Sequence, residues 1–182
     1  VQDHDPSKNG YDQVRNRPER IDINFVDEDR QEVIPDGDTM HANGLDYDAE
    51  RDLIFLSVNF YSEVWVIDHS TTTEEARTSS GGTYGRGGDL LYRFGNPSAY
   101  QSEQPRIFLR NHFPNLLEDG ESGEGNMLIF VNGSPVVQQS VVYELDLPET
   151  FDITNPETIQ PEIVWSYQGE GLFSPKVSGA VR

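Results

Sequence analysis

From residue 41 onward, short apolar runs alternate with clusters of Gly, Asp, Asn and Pro. Leu53-Ile-Phe-Leu, Val64-Trp-Val-Ile-Asp68 and Leu91-Tyr-Arg-Phe-Gly95 are rich in β-branched and aromatic side chains, and turn-forming residues bound each run. That pattern predicts β-strands. A second stretch repeats the order with Leu128-Ile-Phe-Val, Val142-Tyr-Glu-Leu-Asp146 and Val164-Trp-Ser-Tyr-Gln168. The first stretch opens on His41-Ala-Asn-Gly-Leu-Asp and the second on His112-Phe-Pro-Asn-Leu-Leu. Four strand-like runs recurring as a unit are the mark of a propeller blade, although these units exceed the usual length of about 40–50 residues. The expectation is an all-β fold: a β-propeller segment of about two full four-stranded blades with partial flanking blades. The blade units are 41–95 and 112–168, inside a partial propeller over 21–182, and Val177-Ser-Gly-Ala-Val-Arg182 begins a third unit. A chain that stops within a unit reads as a piece of a longer protein.

The flanking pattern is weaker. Residues 1–20 are polar, with no apolar period, and read as a linker or frayed segment. Ile21-Asp-Ile-Asn-Phe25 alternates, which predicts a half-buried strand, and Val33-Ile-Pro-Asp-Gly-Asp38 predicts a turn. Longer insertions follow at 68–88 and 147–161, where a β scaffold commonly carries binding loops. Within the first, Thr73-Glu-Glu-Ala-Arg77 predicts a single helical turn. No run approaches the length of a membrane-spanning helix.

The 182 residues carry 32 Asp and Glu against 13 Lys and Arg, a formal net charge of −19. Nucleic-acid phosphates require a basic face, so this balance argues against a nucleic-acid partner. The bland account of the charge is a solvated acidic surface. The absence of cysteine excludes disulfides and thiolate metal sites here.

The leading chemical candidates are His41 and His112. Imidazole is the side chain most readily tuned for acid, base or nucleophilic work near neutral pH. Equivalent positions in successive blades converge on the propeller axis, so two histidines in one column would share a pocket at the channel mouth. The plain alternative is that each hydrogen-bonds within its own turn. His4 and His69 lie in polar contexts and read as surface residues. Neither His-x-His nor His-Glu-x-x-His occurs, and no metal or cofactor is implied. Asp46, Asp48, Glu50 and Asp52 alternate as in a calcium loop, but Arg51 and Ser57 stand where such a loop needs Gly and Glu. Gly81-Gly-Thr-Tyr-Gly-Arg-Gly-Gly88 fits neither phosphate-loop nor dinucleotide spacing and reads as a tight connection. Asn132-Gly-Ser134 is a formal glycosylation sequon at an expected hairpin turn, and no Gly-x-Ser-x-Gly elbow supports a serine hydrolase. Arg182, at the start of the third unit, is a candidate oxyanion fork or a surface ion-pair partner.

Taken in order, His41-Ala-Asn-Gly-Leu-Asp-Tyr-Asp, Leu56-Ser-Val, Glu63-Val-Trp-Val-Ile-Asp-His-Ser-Thr-Thr-Thr-Glu-Glu-Ala, Gly87-Gly-Asp-Leu-Leu-Tyr-Arg-Phe-Gly-Asn-Pro and Phe173-Ser-Pro-Lys-Val-Ser-Gly-Ala resemble the bacterial aryl-sulfate sulfotransferase family. The nearer resemblance is to its branch of large secreted propeller proteins, and it covers roughly residues 33–182. It implies a six-bladed propeller that moves a sulfuryl group from a phenolic sulfate to a phenol through a transiently sulfated histidine, without a nucleotide sulfate donor. It also implies a periplasmic or extracellular protein. His41 matches the histidine of the family's His-x-Asn motif, which brings in Asn43; His112 matches one that usually follows glutamine, where Asn111 stands here. Both histidines would be sulfate-binding positions. The family often has an arginine before its Val-x-Tyr-x-Leu-Asp strand, and here that place is Gln139, a neutral amide. The histidine that carries the sulfuryl group would lie in a later blade, beyond Arg182. The competing class is a non-catalytic propeller that binds a ligand or protein, and the loss of arginine at Gln139 favours it.

Overall fold

The computed structural model describes residues 14–28, 37–154 and 160–182. Among the described residues, eight strands form two four-stranded antiparallel sheets, each a meander in chain order. The first holds β1 (Ala42–Asp48), β2 (Leu53–Val58), β3 (Glu63–Asp68) and β4 (Tyr92–Phe94). The second holds β5 (Asn111–Leu116), β6 (Met127–Val131), β7 (Val141–Asp146) and β8 (Glu162–Tyr167). The helical residues form three short 3₁₀ turns, among them the one expected near residue 75, at Glu75–Arg77. Thr72 and Glu75 close that turn reciprocally: the Thr72 amide donates to Glu75 Oε2 at 2.8 Å, and the Glu75 amide donates to Thr72 Oγ1 at 3.3 Å. Among the described residues no helix is long and apolar enough to cross a membrane.

The alternation of side chains decides how the sheets stack. Leu53 and Phe55 of β2, Val64 and Val66 of β3, and Tyr92 and Phe94 of β4 meet Met127, Ile129, Val131, Val141 and Leu145 of the second sheet in one core. Residues of the opposite parity, Leu56, Val58, Trp65 and Ile67, join Tyr61, Leu90 and Ile153 in a second cluster. Burying each large apolar side chain contributes about 1.5–3 kcal/mol. Ion pairing reaches the interior as well. Glu63 and Arg93 are fully buried and joined at 2.6 and 2.9 Å, and Trp65 Nε1 donates to Glu63 Oε2 at 2.7 Å. The Arg93 guanidinium also donates to the carbonyls of Pro18 and Arg20 and lies over the Tyr100 ring.

Three flanking expectations change. Residues 14–20 are anchored and not frayed: Val14 and Pro18 are buried and the Pro18 and Arg20 carbonyls hold Arg93, while Arg15, Asn16 and Arg17 stay exposed. Ile21–Phe25 forms a turn, with no more than a single bridge at Asp22. The Asn24 amide donates to Asp22 Oδ1 and the Phe25 amide to the Asp22 carbonyl, so Asp22 closes the backbone on itself. The apolar pair Ile21 and Phe25 still packs inward, against the second cluster. Residues 177–182 form no strand, because Val177 and Ser178 carry φ of 48° and 124°, which a ladder cannot accept. His4, residues 1–13 of the expected linker, most of the turn expected at 33–38 and residues 155–159 of the second insertion lie outside the described residues.

The two sheets repeat one another strand by strand, and one difference stands out. Tyr92 pairs with Val66 and Phe94 with Val64; at the corresponding places Trp165 pairs with Glu144 and Tyr167 with Val142. Tyr92 and Phe94 are at most 1% exposed beneath the second sheet, whereas Trp165 and Tyr167 are 46% and 53% exposed. The outer face of the second sheet thus presents the same aromatic positions without a cover among the described residues.

Candidate functional site

The first strands of the two sheets, β1 and β5, run side by side. Gly44 permits the close approach, since a Cβ there would stand 3.1 Å from the Phe113 Cα. The Leu116 amide donates to Asp46 Oδ2 at 2.6 Å, and Asn43 Nδ2 donates to the Asn111 carbonyl at 3.0 Å. Ser57 Oγ and Asn59 Nδ2 donate to that same carbonyl, each at 3.2 Å. Asn111 itself is wholly buried, with Nδ2 donating to Ser57 Oγ at 2.8 Å and to the Glu63 carbonyl at 2.9 Å. Asn111 therefore ties the start of β5 to the first sheet.

His112 is the next residue, 9% exposed. Its Nδ1 lies 2.5 Å from Asn132 Oδ1 and 3.4 Å from Asn59 Nδ2. Asn132 Nδ2 donates in turn to the carbonyls of Ser174 and Val177 at 2.7 and 2.9 Å. Burial pulls the His112 pKa below the ordinary imidazole value; the contact to Asn132 opposes that shift, and the nearby His41 adds to it. His41 precedes β1 with a left-handed φ of 49°. Its Nδ1 lies 2.5 Å from Asp38 Oδ2, its amide donates to Asp38 Oδ1, and its ring stacks on Phe60 at 4.6 Å. Its side chain is about half exposed.

His41 lies just before β1 and His112 within the neighbouring β5, and the two do not share one column. Ala42 faces Val58, and Asn111 faces Val131. The Asn59 amide, just beyond Val58, donates to the His41 carbonyl, while the Asn132 amide, just beyond Val131, donates to the Arg110 carbonyl. Arg110 shares the left-handed conformation, with φ of 58°. The counterpart of His41 is therefore Arg110, and His112 faces Phe130 as Gly44 faces Ser57. The expected alignment is out by two positions. Its physical source is that His41 lies before its strand and His112 inside its own, with a register shift in each first strand masking the offset.

The same comparison exposes residues that sequence reasoning missed. Asn59 and Asn132 end the second strands of the two sheets, and each amide group grips backbone of the segment that follows its own sheet. Ser62 and Ser140 repeat likewise: each hydroxyl donates to the carbonyl of its asparagine and accepts an amide, from Arg110 and from Ser174 respectively. The visible signal was the dipeptide Val-Asn closing both runs. Asn132 is buried within this network, not displayed on a hairpin turn.

Two other candidates are engaged elsewhere. Gln139 Nε2 donates to the carbonyls of Ser140, Leu172 and Gly169 at 2.8, 3.1 and 3.3 Å, so it clamps a turn and does not offer its hydrogens to an anion. The Arg182 guanidinium donates to Glu144 Oε2 at 2.6 Å. Burial pushes the Glu144 carboxyl up, but the bonds from Asn126 and Arg182 outweigh it and hold the pKa low. Glu144 lies on β7, two strands across the sheet from β5, so this ion pair holds Arg182 away from His112.

The alternating carboxylates are also in use. Asp46 accepts from Leu116, Asp48 pairs with Arg51, and Asp52 accepts from Tyr47 and pairs with the half-exposed His69. Among the described residues no three His, Asp or Glu side chains are grouped to hold a metal. The glycine-rich stretch is a tight connection, as its spacing implied: a Cβ on Gly87 would stand 2.4 Å from the Thr78 carbonyl oxygen. Two acceptors remain at the β1–β5 junction. Asn43 Oδ1 and Asn111 Oδ1 are buried with no hydrogen-bond partner among the described residues. Leaving such a group unmet costs about 1–3 kcal/mol.

No family model matches this chain, and no curated protein matches it significantly.

Proposed function

We propose that this chain contributes two adjacent blades to a β-propeller that transfers a sulfuryl group between a phenolic sulfate and a phenol. What supports the reading is the proximity of two imidazoles from successive repeats, His41 just before β1 and His112 within the adjacent β5, close enough to interact electrostatically. Asn43 belongs to the same junction. The uncovered aromatic positions on the outer face of the second sheet favour a further blade stacked there. In this reading the protein acts outside the cytoplasm, the phenols bind near the channel mouth, and a histidine of another blade carries the sulfuryl group. Full-length protein given a chromogenic aryl sulfate and a phenol would release the chromophore in an acceptor-dependent manner. Release that is absent, or indifferent to the acceptor, would defeat the proposal.

A second reading has its own observation. Neither Gln139 nor Arg182 is disposed to hold sulfate, because the first binds backbone carbonyls and the second binds Glu144. A propeller that binds a ligand without turning it over fits those engagements. Binding of an aryl sulfate without turnover would favour it.

A further inference from the structure

Asn132 has a fixed orientation, and this determines what His112 can do. Its Nδ2 is occupied by two backbone carbonyls, Ser174 at 2.7 Å and Val177 at 2.9 Å. An amide flip would set Oδ1 against both carbonyl oxygens, acceptor against acceptor, and would cost both bonds. Oδ1 therefore faces the imidazole, 2.5 Å from Nδ1. A carbonyl oxygen only accepts, so Nδ1 must carry the proton. Asn59 Nδ2, which donates to the Asn111 carbonyl at 3.2 Å, is the competing neighbour, but at 3.4 Å it stands much farther from Nδ1 than Asn132 Oδ1 does at 2.5 Å.

We infer that Asn132 is a positioning residue that holds His112 in the Nδ1-protonated tautomer, leaving Nε2 as a lone-pair acceptor for a ligand O–H group. Nε2 has no hydrogen-bond partner among the described residues. Nε2 lacks a donor, so the ligand chemistry favoured at His112 is a neutral hydroxyl, and an oxyanion is disfavoured. For a phenol acceptor the step is a simple proton transfer. The phenolic O–H bond breaks, its electron pair stays on oxygen, and the proton joins Nε2. The resulting imidazolium keeps its Nδ1–H bond to Asn132. Only the identity of the hydroxyl as a sulfuryl acceptor rests on the proposed function; the tautomer does not.

The test is long-range ¹H–¹⁵N spectroscopy of the histidine rings in the intact protein at a pH where His112 is neutral, with His112→Gln to assign its signals. Wild type is expected to show a protonated-type Nδ1 and a lone-pair-type Nε2. Asn132→Ala is expected to lose that preference. Titration with phenol is expected to move the Nε2 resonance, while inorganic sulfate leaves it in place. A proton found on Nε2 in wild type would overturn the inference without recourse to any variant, and so would a response to sulfate in place of phenol. Failure of the sulfuryl-transfer reading would be seen separately, as absent turnover of aryl sulfate.

Discussion

His112 carries its chemistry in a setting that penalises charge. Burial lowers its pKa, so the folded state binds a proton less readily than the unfolded chain, whose imidazole titrates near about 6.5. The unfolded state then holds more protons as pH falls through that window. The stability that neutral His112 contributes is present above about pH 6.5 and is lost as pH drops toward its lower folded value. Denaturant midpoints measured from pH 7.5 to 5 should fall in wild type and fall less in His112→Gln. Equal slopes would show that His112 is not buried neutral. The same shift revises the expectation of a protonated sulfate donor, since at neutral pH this ring is uncharged. His112 was legible in the sequence as a candidate because histidine is chemically conspicuous. Asn132 was legible only as a sequon, because its role depends on His112, Ser174 and Val177, all far away along the chain.

At the scale of elements, the strands were legible and their relative offsets were not. Alternation and β-branched runs marked the sheets because burying one face leaves that period in the sequence. The column shared by the first strands depends on register shifts and on left-handed backbone at His41 and Arg110, neither a glycine, so composition gave no cue. Ile21–Phe25 alternated without being a strand because Asp22 supplied local hydrogen bonds. Pairing between β3 and β4 rests on an ion pair with no access to water. Arg93→Met should strand the Glu63 carboxylate and destabilise the protein by about 3–5 kcal/mol, read from urea unfolding. A change below about 1 kcal/mol would contradict the burial. In the second sheet, Trp165 is exposed on an edge strand while Trp65 is buried. Acrylamide should quench one tryptophan population in this chain, and Trp165→Phe should remove it. Quenching that vanishes with Trp65→Phe would reverse the assignment.

The whole molecule joins an acidic surface to a neutral, closely hydrogen-bonded junction between two repeated sheets. A net charge of −19 repels anions at long range, an effect that salt screens over about 10 Å at 0.1 M. Any anionic substrate must therefore be held by local contacts strong enough to offset that field. The most direct measurement of the account is a double-mutant cycle on acceptor-dependent aryl-sulfate turnover in full-length protein, comparing wild type, His41→Gln, His112→Gln and the double variant. If the two rings serve one site, each single substitution lowers kcat/KM by about 10²- to 10³-fold, and the double variant falls less than the product of the two losses. Unchanged turnover in either single variant, or losses that simply multiply, would contradict it.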